Sequence, residues 1–316
     1  MNWILLATLG QFLNAVVAVL DKYIVSDEKV LPRPFIYAFY SCLLTGFWAV
    51  IFFIGLIPPF ANLGVPTFKN VTFPTIQVLS MAFLTAYTFF MALVSMYDAL
   101  RKSDAAVVMP IIGTVSALTT FGLSYVFLDA QFTQGHAFGI IIMSLGTLFV
   151  ARHLPEWSVI LHVFHSGIFF ALHYITMKGL FMETSFDNGF FWSRVSFVLF
   201  ALSLLMVPVY WDKIKEQSKA TTKKTGILVL STKIIAGVAA FLLLKATDLG
   251  EVSVVQALDG VRFVFILCIT ALFAHWLPHA ATDRDTRPQV FFRKFIFIVI
   301  ITVGYFMLFV DKISLL

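Results

Sequence analysis

The stretch 254–265, VVQALDGVRFVF, sets Gln256, Asp259 and Arg262 at three-residue intervals inside an otherwise apolar run. Residues three apart share one face of a helix, so the segment predicts a helix carrying a single polar stripe. A charge placed in hydrocarbon loses its hydration with no nearby water to replace it. What surrounds this stripe therefore decides how the whole chain is read.

The surroundings are apolar throughout. Of 316 residues, 60% are hydrophobic and only 12% charged, whereas a soluble domain carries about 25% charged residues. Most of the surface cannot be facing water, and the composition predicts a polytopic membrane protein. The net charge of +5 does not point to nucleic acid, because no basic amphipathic helix or Arg-rich arm accompanies it. Cys42 and Cys268 fall inside apolar runs and are expected to serve packing. The N-terminus, MNWILLATLGQFLNAVVAVLDKY, lacks a cationic leader and a small-residue cleavage site, which predicts a retained first helix.

A helix needs about 20 mostly apolar residues to cross the hydrocarbon core. Ten runs qualify: 2–22, 34–57, 74–97, 104–128, 134–151, 157–181, 187–210, 225–246, 251–276 and 292–311. Cations concentrate in the odd-numbered connections, among them Lys22, Lys29, Arg33, Arg101, Lys102, Arg152, Lys213, Lys215, Lys219, Arg284, Arg287, Arg293 and Lys294. The even-numbered connections and the C-terminus hold Lys69, Lys178, Lys245 and Lys312. The positive-inside rule then puts the odd loops in the cytoplasm and both termini outside.

The stripe has a counterpart. SDAAVVMPIIG (103–113) matches GEVSVVQALDG (250–260) in an acidic residue, a Val-Val pair and a closing Gly. Asn2-Trp3 and Glu156-Trp157 open the first and sixth runs, and Lys22 and Lys178 close them. Five runs plus five is the simplest division, 1–154 and 155–316. Five is odd, so the second copy has opposite topology to the first. The expected fold class is thus all-α integral membrane, with ten transmembrane helices as two inverted five-helix repeats and a site near the midplane where they meet.

On these features, and on the stretches ALRKSDAAVVMPIIGTVSALTTFGLSYVFLD and ATDLGEVSVVQALDGVRFVFILCITALFA, the chain resembles the EamA-like family of the drug/metabolite transporter superfamily. Pro110 fits the family's fourth-helix pattern, while Ala257 departs from it in the second copy. Arg194 stands where many relatives place an Arg, and the first repeat has Ala38 there. The resemblance implies movement of small metabolites, amino acids or drugs, often outward.

The candidate substrate-binding residues are Arg262, Asp259, Gln256, Lys233, Arg194, Asn14 and Tyr87, with Gln11 a further polar group of the first span. Arg194, Lys233 and Arg262 lie too deep to be loop residues, against one deep acid, Asp259. An excess of cation in a low-dielectric cavity favours an anion or zwitterion. Asp21, Asp98 and Glu251 stand near span ends and could reach the cavity. The alternative for Asp259 and Arg262 is an internal ion pair locking helices together. His162, His165 and His173 are expected to bond neighbouring helices, with His165 and His173 as a possible proton relay; no Cys or carboxylate sits in register for a metal site.

No G-x-x-x-x-G-K-[ST] loop points to ATP, and no catalytic motif or cofactor box is present. The expected function is a non-enzymatic secondary transporter in the cell membrane, an exporter or exchanger of a small anionic or zwitterionic metabolite, with a proton as the candidate coupling ion. The alternative is a non-transporting membrane scaffold or regulatory protein.

Overall fold

The computed structural model describes residues 2–26, 33–62, 64–103, 105–151, 154–220, 223–272 and 288–308. Its regular structure is helical, with no strand among the described residues. Lys29, Asp104, Arg152, Arg284, Arg287 and Lys312 lie outside them.

The helices are α1 (Asn2–Ser26), α2 (Pro34–Gly46), α3 (Ile76–Lys102), α4 (Ala105–Phe127), α5 (Gln134–Val150), α6 (Trp157–Glu183), α7 (Phe186–Leu205), α8 (Lys223–Leu249), α9 (Val252–Ala257), α10 (Asp259–Leu272) and α11 (Pro288–Met307). Seven helices of the described chain are long and apolar enough to span a bilayer, and Gln134–Val150 and Phe295–Met307 are shorter apolar helices. Large apolar side chains such as Leu5, Phe53 and Phe83 stand on the outside. In water such a surface would drive aggregation; in lipid it is solvated. The protein is a multi-pass helical membrane protein.

The helix starts follow local chemistry. Thr75, Thr133 and Ser185 precede α3, α5 and α7, and each hydroxyl accepts the backbone N–H three residues on, at 3.2 Å. That satisfies one of the amides a helix N-terminus leaves orphaned. The segment between α2 and α3 is tied to the start of α7. The Asp187 carboxylate accepts from Thr67 N at 3.2 Å and from Asn70 Nδ2 at 2.8 Å, and the Trp192 indole donates to Thr72 O at 2.9 Å.

Two runs depart from the continuous helices expected. The second winds as a 3-10 turn over Phe47–Val50 before one further turn, Ile51–Ile54. The ninth breaks at Leu258, between α9 and α10, where Val261 N bonds Leu258 O at 3.0 Å, an i to i+3 bond of the 3-10 type. The connection after α7 forms a further helix, Pro208–Ala220.

Packing follows a few partnerships. α3 lies against α6 and α1 against α8; α4 packs on α6, α9 on α4, and α10 on α1 and α4; α5 lies against α11 and α2 against α7. Two lysines fasten helix ends. Lys22 donates to Leu100 O at 3.1 Å and Ser103 O at 3.3 Å, at the end of α3. Lys178 donates to Thr247 O, Asp248 O and Gly250 O at 2.9, 3.0 and 3.0 Å, at the end of α8. Both meet the negative end of a helix dipole and carbonyls that have no amide to receive.

Candidate functional site

A central cavity of about 160 Å³ lies between these helices. On α1 its wall is Gln11, Asn14, Val17, Ala18 and Asp21, and on α8 it is Lys233, Ala236, Ala240 and Leu243. Each set recurs at intervals of three and four residues, as one face of a helix does. The stretch from Gln11 to Asp21 is roughly 15 Å long at 1.5 Å per residue. Gln256, Asp259 and Arg262 share another wall, facing Ser116 and Gly113 of α4.

The Asp21 end is a knot of four helices. Lys233 Nζ on α8 donates to Asp21 Oδ1 on α1 at 3.0 Å and to the Tyr97 hydroxyl on α3 at 3.1 Å. The Tyr37 hydroxyl on α2 donates to Asp21 Oδ1, and that of Tyr97 to Asp21 Oδ2 at 3.4 Å. The ammonium also stands 4.0 Å from the centre of the Tyr37 ring. Asp21 and Lys233 side chains are 8% and 7% exposed, so the charges are compensated by each other and by phenols rather than by water.

A second ion pair stands on the α10 wall. Arg262 Nη2 donates to Asp259 Oδ2 at 2.7 Å, and Gln256 Oε1 accepts from Ser116 Oγ at 3.2 Å. Arg262 Nε and Gln11 Oε1 are buried without a hydrogen-bond partner. A buried polar atom left unpaired costs about 1–3 kcal/mol, and these two, a donor and an acceptor, line the same cavity. The residues that carry them belong to a wall that mixes polar and apolar side chains around a space large enough for a small molecule.

The cavity gathers Arg262, Asp259, Gln256, Lys233, Asn14 and Gln11. It does not include Arg194, which is buried with its guanidinium 4.6 and 4.7 Å from the rings of Phe190 and Phe197. Tyr87 is also off its wall, 40% exposed and edge-on to Phe169 and Phe200. The histidines bond neighbouring elements instead of lining the cavity. His165 Nδ1 meets Ser95 Oγ at 2.7 Å, His173 Nδ1 donates to Thr85 O at 3.0 Å, and His162 Nε2 stands 3.1 Å from Asp98. Of the cysteines, Cys42 is buried and Cys268 is exposed on α10.

The expected excess of cation is corrected by these positions. Arg194 is outside the cavity, and Asp21 adds an acid to it, so the wall carries two acids and two bases in matched pairs. Tyr37 and Tyr97, which complete the Asp21 knot, carried no signal in the sequence beyond being phenols in apolar runs.

No family model and no curated protein matches the sequence. The chain is similar in fold to solved structures. One crystal structure covers 96% of this chain and 98% of its own, with a TM-score of 0.63 at 12% identity. At that identity the likeness shows a shared fold over nearly the whole chain and carries nothing about activity.

Proposed function

We propose that the protein is a secondary transporter of the cell membrane, an exporter or exchanger that moves a small zwitterionic or anionic metabolite by alternating access to the central cavity. The observation that carries this reading is the cavity itself: two buried ion pairs on its wall, with Arg262 Nε and Gln11 Oε1 unpartnered. Matched charge favours the zwitterion over the simple anion. A carboxylate suits Arg262, and an ammonium or hydroxyl suits Gln11 and Asp259. Size narrows the substrate further. A cavity of about 150 Å³ holds one benzene, and about 160 Å³ sets a similar scale.

The ten-helix inverted repeat is part of the proposal and has support in the packing. Exchanging each helix for the one five runs later turns the α3–α6 contact into α8–α1, and turns the Lys22 fastening of α3 into the Lys178 fastening of α8. In this arrangement the two repeats rock about the cavity, and the termini lie outside. A proton is the coupling ion we favour, with Asp21 and Asp259 as the carboxylates on the wall.

Reconstituted proteoliposomes test the assignment. A metabolite panel screened by thermal shift first finds a ligand that stabilises the wild type. Uptake or exchange of that ligand should vanish in Arg262→Gln while expression and folding persist. Undiminished transport by the variant would overturn the reading.

A further inference from the structure

The two acids on the cavity wall are not equivalent. Asp21 receives three hydrogen bonds, from Lys233 Nζ and the Tyr37 hydroxyl on Oδ1 and from the Tyr97 hydroxyl on Oδ2. Lys233 divides its ammonium between Asp21 and Tyr97, so that pair is closed on itself. Asp259 receives one, from Arg262 Nη2 to Oδ2 at 2.7 Å, and among the described residues nothing donates to its Oδ1. That bond is also the only one the Arg262 guanidinium makes among the described residues.

The break at Leu258 makes Asp259 the first residue of α10, and the free amides of a helix start favour a carboxylate there. Arg262 follows one turn on, and the two side chains are 12% and 15% exposed, arginine first. Around them the cavity wall is largely apolar, with Phe89, Leu93, Met109, Ile112 and Phe170. Gln256, on the same stripe, already accepts from Ser116 Oγ.

Such surroundings sort ligands by charge. The wall is balanced when empty, with one cation against one anion in each pair. A monocarboxylate on Arg262 would set two anions against one guanidinium. A monoamine on Asp259 would set two cations against one carboxylate. Lys233 and Asp21 do not make up the difference, because each is already balanced by the other. A buried charge without its counter-charge is costly. A molecule carrying both an ammonium and a carboxylate adds neither excess.

We propose that Asp259 is the specificity-determining residue of the cavity, the one that sets the charge of the ligand. It takes the ammonium of a zwitterion at Oδ1 while Arg262 takes the carboxylate, and it bars simple carboxylates of the same size. This rests on the reading of the cavity as the transport site, and adds to it a selectivity that a single exchange reverses. Asp259→Asn turns the cavity into a monocarboxylate site, and Arg262→Gln turns it into a monoamine site. The closed Asp21–Lys233 pair takes no part in holding the ligand.

The test is equilibrium dialysis of radiolabelled alanine, propanoate and ethylammonium against the purified full chain in detergent, all at one pH. The three share a skeleton and are no larger than benzene, which a cavity of about 150 Å³ accommodates. Wild type should bind alanine saturably and the other two at least about tenfold more weakly, as expected for loss of one charge-assisted hydrogen bond. Asp259→Asn should reverse the order of alanine and propanoate. Arg262→Gln should reverse the order of alanine and ethylammonium, and keeps the test decisive if the first variant does not fold. Propanoate bound as tightly as alanine by wild type, or an unchanged order in either folded variant, would overturn the proposal and leave the transport reading standing. Failure of wild type to bind any of the three would also overturn it; the transport reading falls with it only if the metabolite panel finds no ligand either.

Discussion

The Asp259 carboxylate occupies the space beside Gly113 that any other residue would need. A Cβ built on Gly113 would lie 2.5 Å from Asp259 Oδ2, the oxygen that receives Arg262. The stretch 103–113 thus provides the hollow into which Asp259 fits, and the fourth and ninth runs meet at that point. Gly113→Ala should push the carboxylate away from Arg262 and destabilise the protein by about 1–3 kcal/mol, the usual cost of overpacking. Thermal unfolding in detergent measures this. Because the two positions touch, Gly113→Ala combined with Asp259→Ala should cost less than the sum of the single changes; strict additivity would show that the contact does not matter.

The Asp21–Lys233 pair should behave as a buried pair does. Removing one partner, as in Asp21→Asn or Lys233→Met, leaves a charge in the interior and should destabilise by about 3–5 kcal/mol. Asp21→Leu with Lys233→Met removes both and should recover much of that loss. Chaotrope unfolding of the three variants decides it, and a double variant as unstable as either single one would refute the account.

By contrast, Arg33 and Glu216 form an ion pair at 3.2 Å whose side chains are 46% and 69% exposed. Water and salt screen such a pair to roughly 0–1 kcal/mol. Glu216→Gln should shift the unfolding midpoint little at physiological salt, and less still at high salt.

That the chain is built of apolar helices, several of them long enough to span a bilayer, was readable because an apolar run bounded by polar residues is a one-dimensional signal. The break at Leu258 was not, since no Pro marks it, whereas Pro110 stands in the comparable region of α4 and that helix runs through. Asp21 stands beside Lys22 at the end of a run and reads as an interfacial residue; its partner Lys233 is 212 positions away. Which face of a helix meets the cavity is hidden for a further reason. In a membrane both the packed face and the lipid face are apolar, so the contrast that marks the inner side of a soluble helix is missing. Gln256, Asp259 and Arg262 were legible because they are polar; Arg194 is polar too, and its place away from the cavity, among Phe190, Phe197 and Ser193 of its own helix, is packing that polarity alone does not mark.

Lys178→Met should loosen the end of α8. The three carbonyls it serves would lose a cation's hydrogen bonds, worth on the order of 1.5–3 kcal/mol. Hydrogen exchange followed by mass spectrometry should show the amides of 245–250 exchanging at least about tenfold faster, with the middle of α8 unchanged. Unaltered protection at that end would contradict a fastening role.

Lys22 and Lys178 bond main-chain oxygens of the helices they reach, and every residue type supplies the same oxygen. The receiving segments can therefore change sequence without releasing the lysine. Each fastening is a dependence in one direction only: a single codon on one helix carries it, no compensating change has to arise on the other, and comparing sequences for paired substitutions would leave it invisible.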